Sequence, residues 1–149
     1  MKTTVFRAAV LSVLLLSASG CSNGKPKTAE VKGVIKTKQG QACDKALIVF
    51  HPVEKSRVND PKPLAIAESS GAFVVRTHTS DDGAAPGEYG VTVVWPGEAA
   101  GKQEFSLSGE SGGSGADRLG GRYGNPKDPK IKVTVPASGT PDLRIEVDG

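Results

Sequence analysis

From residue 31 onward, apolar and polar positions alternate with a period of two rather than 3.6. Val31, Gly33 and Ile35 alternate with Lys32 and Lys36, and Tyr89, Val91, Val93 and Trp95 share a side opposite Thr92. Ile131, Val133 and Val135 alternate with Lys132 and Thr134, and Leu143, Ile145 and Val147 with Arg144, Glu146 and Asp148. Ala46, Ile48 and Phe50 are interleaved with Leu47 and Val49, so this run is apolar on both sides and predicts a central strand. Leu64–Glu68 and Ala72–Thr77 flank Ser69-Ser70-Gly71, which predicts a tight hairpin, and Phe105 and Leu107 mark a further short strand. No stretch beyond the first twenty residues keeps apolar residues at helical spacing over three turns. Short strands separated by Gly, Pro, Asn and Asp predict a single all-β domain over 31–149, an antiparallel sandwich.

The first twenty residues follow another rule. Met1 to Arg7 carry Lys2 and Arg7 without an acid, Ala8 to Ala18 reads AAVLSVLLLSA, and small residues follow. The apolar run is too short to span a bilayer, which needs roughly 20 residues as helix. A basic start, a short apolar middle and small residues predict a cleaved signal peptide over 1–20. Two routes of processing follow. In one, Cys21 becomes a lipid-bearing first residue; in the other, an ordinary signal peptidase cuts at the same small residues and leaves Cys21 a free thiol. Residues 22–30 (SNGKPKTAE) are polar and read as a tether that spans at most about 30 Å.

Composition narrows the function classes. Nineteen basic and sixteen acidic side chains fall to seventeen and sixteen without Lys2 and Arg7, leaving no basic patch suited to nucleic acid. Cys43 is the only other cysteine. It is unpaired if Cys21 is lipidated, and a Cys21–Cys43 bridge is open if Cys21 is free. Ser106–Pro126 is rich in glycine and serine and predicts a flexible loop at 106–126, locally pinned by Leu119 and Tyr123.

Two resemblances add to this reading. Ala18-Ser19-Gly20-Cys21 resembles the lipobox of bacterial lipoproteins. That resemblance implies a diacylglyceryl thioether on Cys21, a palmitate-class acyl chain on its amine, and a membrane-lipid partner. Ser22-Asn23-Gly24, without an aspartate beside the cysteine, implies the outer membrane in a diderm bacterium. Further on, Val31-Lys32-Gly33-Val34-Ile35, Ala46 to Pro52, Ser70-Gly71-Ala72-Phe73, Asp82 to Val93 (DGAAPGEYGVTV) and Arg122-Tyr123-Gly124-Asn125-Pro126 follow in order. Together they are similar to small planctomycete-type lipoproteins with a carboxypeptidase-regulatory-like, transthyretin-like domain. The resemblance covers about residues 31–148. It implies a seven-strand, prealbumin-like Greek-key sandwich with no known activity in most members.

Candidate chemistry is sparse. Gly87 breaks a turn before Tyr89, whose ring is expected inside and whose hydroxyl is expected to return to the turn, as in the tyrosine corner of other sandwiches. Trp95 is on the inward phase and is expected in the core; exposed instead, with Tyr123, it would suit a carbohydrate-binding module. His51 and His78 are candidate ligand-surface residues, 27 positions apart with no carboxylate at matched spacing. Asp81-Asp82-Gly83 falls short of the six to eight oxygens of a calcium site and reads as a solvated turn. The hydroxyisourate hydrolases share the transthyretin-like fold but end in a serine-containing motif, whereas this chain ends Arg144-Ile145-Glu146-Val147-Asp148-Gly149. The expectation is a non-enzymatic accessory module of the cell envelope, at the cell membrane or outer membrane, without metal or cofactor. Its partner would be an envelope protein or glycan.

Overall fold

The structure is a computed structural model that describes residues 27–97 and 116–149. The expected signal peptide over 1–20, Cys21, the expected strand at Phe105 and Leu107 and residues 106–115 of the expected loop lie outside the described residues. Among the described residues, seven strands form two sheets: β1 (Val31–Thr37), β2 (Leu47–Pro52), β3 (Leu64–Ile66), β4 (Ala72–Val74), β5 (Gly87–Val94), β6 (Ile131–Val135) and β7 (Thr140–Val147). One sheet has the order β4-β1-β7 and the other β3-β2-β5-β6. The fold is an all-β sandwich, as the two-residue alternation predicts.

The sheets bury the inward phase of each strand between them. Ile35, Phe73, Val75, Ile145 and Val147 meet Ile48, Phe50, Ala65, Tyr89, Val91, Val93 and Val135, all buried. Phe50 and Tyr89 pack edge to face with ring centroids 5.9 Å apart, an arrangement aromatic pairs favour. β2 is central, as its apolar run predicts, between β3 and β5.

Two features depart from the expectation. β1 pairs with β7 in parallel, Ile35 opposite Ile145 and Thr37 opposite Val147, while the other strand pairs are antiparallel. Parallel neighbours need a long connection, and here nearly the whole domain supplies it. The segment around Ser69 is also not a simple hairpin, because β3 and β4 belong to different sheets. The turn itself closes as expected, with the Gly71 N–H donating to Glu68 and the Glu68 N–H to Ala72. Gly71 has φ +82°, a left-handed conformation that glycine adopts without strain. The chain then swings from one sheet to the other, and paired backbone bonds between Leu64 and Arg76 (2.9 Å each) stitch the sheets together at that edge. Local spacing gives the turn but not which sheet each arm joins.

The two ends of the sandwich differ. At the end where residues 27–30 lead into β1, Ala29 pairs with Ala84 through backbone bonds of 2.8 and 3.0 Å. At the opposite end, residues 116–124 lie beside the last part of β5, past the end of β6, with the Val93 N–H donating to the Tyr123 carbonyl at 3.0 Å. Leu119 there is fully buried and Tyr123 nearly so, the two residues expected to pin this segment. Among the described residues no helix is long and apolar enough to cross a membrane.

Candidate functional site

Tyr89 does the structural work expected of it. Its hydroxyl donates to the Ala85 carbonyl at 2.6 Å, four residues back, and its ring is buried. Gly87 has φ +148°, and a Cβ there would stand 2.6 Å from Arg57 Nη1. Arg57, which the sequence did not single out, completes this corner. It follows β2 on a short 3-10 turn (Lys55–Arg57) and donates to the Tyr89 hydroxyl (2.8 Å), the Pro86 carbonyl (3.0 Å) and the Asp60 carboxylate (3.2 Å). Its guanidinium also lies 5.4 Å from the Tyr89 ring centroid. A contact between positions 32 residues apart leaves no periodic signal, so no pattern in the sequence could have found it.

Trp95 is in the core, as expected, with its indole N–H donating to the Asp44 carbonyl at 3.0 Å and Arg118 stacked over the ring at 3.8 Å. Asp117 holds the neighbouring turn by accepting from the backbone N–H groups of Trp95, Leu119 and Gly121. Tyr123, weighed as a surface residue, is instead buried. Its hydroxyl donates to the Asp148 carboxylate and accepts from the Asp148 N–H, latching the chain end. The Lys38 ammonium, hydrogen-bonded to Asp148, and the Tyr123 hydroxyl hold that carboxyl below its ordinary range. Its burial fits the pinning expected of Tyr123 and not the exposure that a carbohydrate-binding surface would need.

His51 and His78 are placed on different elements. His51 projects from the outer face of β2, half-buried, with Nε2 2.9 Å from Thr92 Oγ1. Burial pushes its imidazole below the ordinary histidine value, and the Lys62 charge adds to that. His78 is exposed on the turn after β4, its backbone N–H donating to Asp82. Asp82 accepts from three backbone N–H groups, those of Thr77, His78 and Thr79. Burial would raise the Asp82 carboxyl, but these donors outweigh it and hold the group low. The turn is thus closed on itself, and among the described residues no three His, Cys, Asp or Glu side chains gather as a metal site. Cys43 is a buried free thiol, pushed up by burial.

Among the described residues, a sheet surface stands out. On the outer face of the four-stranded sheet, Leu47 lies between Ile66 and Val94 in register, and Val49 between Leu64 and Thr92. Ile66 and Val94 are exposed and the other apolar members half-buried, with the His51–Thr92 pair beside them. The outer face of the three-stranded sheet sets exposed Lys32, Lys36, Arg144 and Glu146 around half-buried Val34, Ala72 and Val74. The class defined by the fold is an all-β sandwich, and its exposed large apolar sheet residues, Ile66 and Val94, both lie on the four-stranded sheet, whose β5–β6 side carries Glu88, Lys132 and Thr134. No protein family, curated protein or solved structure matches the chain.

Proposed function

We propose that this chain is a lipid-anchored, non-enzymatic module of the bacterial cell envelope that docks another envelope protein on the outer face of its four-stranded sheet. The observation that carries the docking is the stripe of Leu47, Val49, Leu64, Ile66 and Val94 on one sheet, with Ile66 and Val94 exposed, where the other sheet's exposed outer residues are Lys32, Lys36, Arg144 and Glu146 around half-buried Val34 and Val74. Apolar patches of this kind, rimmed by polar groups, mark interaction surfaces. The anchor rests on the signal-like segment at 1–20 and the lipobox-like Ala18-Ser19-Gly20-Cys21. One acyl chain holds a protein only marginally and two or three hold it stably. A carbohydrate module would need Trp95 or Tyr123 on the surface, and a hydrolase would need a shared partner for the two histidines; neither reading has an observation in its favour.

Two measurements test the proposal. The intact mass of the mature protein from its native host, compared with Cys21→Ala, should show a product beginning at Cys21 with two or three acyl chains. A bare polypeptide mass overturns the anchor. A photo-crosslinking residue at Ile66 should give a discrete adduct in the intact envelope while one at Lys36 gives none; equal labelling from both sheets overturns the docking face.

A further inference from the structure

The two most exposed large apolar side chains in the described structure, Val53 at 56% and Val58 at 57%, lie on one loop outside the sheet stripe. Val58 is not exposed by looseness. Arg57, beside it, spends its guanidinium inward on Tyr89, Pro86 and Asp60. Backbone bonds from Arg57 to Glu54, Val58 to Lys55 and Asp60 to Arg57 close the turn, and the Val53 N–H is fixed to the Glu88 carbonyl. The fold therefore holds both valines out into solvent.

The position of this loop gives the exposure a meaning. Arg57 bonds Pro86, two residues from Ala84, and Ala84 pairs with Ala29, where the tether joins the domain. The loop and the tether thus share one end of the sandwich. The chain from Cys21 to Ala29 can span less than about 30 Å. We propose that the Val53–Lys62 loop is a lipid-contact element that rests the tethered end of the domain on the bilayer surface, with Val53 and Val58 entering the headgroup region. This rests on the lipid anchor proposed above. Lys55 and Lys62 lie on the loop, but Glu54, Asp60 and Asp81 are at the same end, so the contact depends on apolar insertion and is expected to survive high salt.

The test uses the full acylated protein in vesicles of phosphatidylethanolamine and phosphatidylglycerol. With Cys21 blocked by its lipid and Cys43 buried, a thiol introduced as Val58→Cys takes an environment-sensitive fluorophore; Ser69→Cys, on the turn at the opposite end, is the control. Spin-labelled lipid should quench the Val58 label roughly twofold or more beyond the control, with a blue-shifted emission that persists in high salt. Equal quenching at both positions overturns the lipid contact, as does a blue shift without lipid quenching, which would mean burial against a second copy of the protein. Intact mass separates the two readings: acyl chains on Cys21 with an unquenched Val58 label sink the lipid contact alone, whereas a bare Cys21 sinks the anchor and this contact together.

Discussion

The two sheets obey one rule on the inside and opposite rules on the outside. Inward, each supplies alternate apolar residues to a shared core. Outward, the three-stranded sheet exposes Lys32, Lys36, Arg144 and Glu146 around half-buried Val34 and Val74, a face wetted by its charged residues. The four-stranded sheet shows Leu47, Val49, Leu64, Ile66 and Val94. Folding needs only the inner faces, so the outer residues of the two sheets are free to differ. The difference teaches that strand patterns alternating strictly and strand patterns apolar throughout can belong to the same small domain for different reasons.

The comparison can be broken first at the core, where the sheets should behave alike. Phe50→Ala and Phe73→Ala, one from each sheet, should each cost about 3–5 kcal/mol in urea unfolding. A loss below about 1 kcal/mol at either position would mean that its sheet contributes no packed interior. Arg57→Ala strips the corner of the four-stranded sheet of three hydrogen bonds from a charged group and should cost about 1.5–3 kcal/mol. An unchanged unfolding midpoint would reduce that corner to Tyr89 and Ala85 alone. The His51 effect is smaller and depends on pH. Its imidazole is lowered in the folded state, so below the unfolded value of 6.5 the unfolded chain binds the extra proton. Stability should fall as pH drops through that value and level off below the folded one, and His51→Gln should remove this slope; a slope retained in the variant assigns it elsewhere. The smallest effect should come from Ile66→Thr, within about 0.5 kcal/mol of the parent protein. A cost above 1 kcal/mol would mean that the outer stripe is already covered within the molecule, and the contrast between the sheets would collapse.

Much of the sandwich is legible in the sequence because a strand half-covered by a core repeats every two residues. Val91 and Val93 declare their side without help from the rest of the chain, and Tyr89 and Gly87 declare their corner through turn chemistry. The outer stripe is legible only in part: Leu47 and Val49 mark β2 as apolar on both faces, but their meeting with Ile66 and Val94 depends on register. Arg57 was out of reach, since it is defined by a partner 32 residues away, and Tyr123 was legible as a pin of its segment while its partner Asp148 was not. The Ser69 turn shows the same limit, because the bonds that close it are local and the sheets it joins are not.

The parallel pairing of the first and last strands also governs when the domain can exist at all. β1 is made early, yet the edge of it that β7 covers stays bare until residues 140–147 arrive. Closing a loop of nearly the full domain is an entropic cost met before the contact returns anything, and such topologies fold slowly. A chain still emerging from a ribosome or a membrane pore cannot complete its core, so it stays threadable until its last segment is free. By the same logic, a nick or truncation that removes β7 uncovers Ile35 and a hungry strand edge together, turning a small clip at the chain end into an aggregation event.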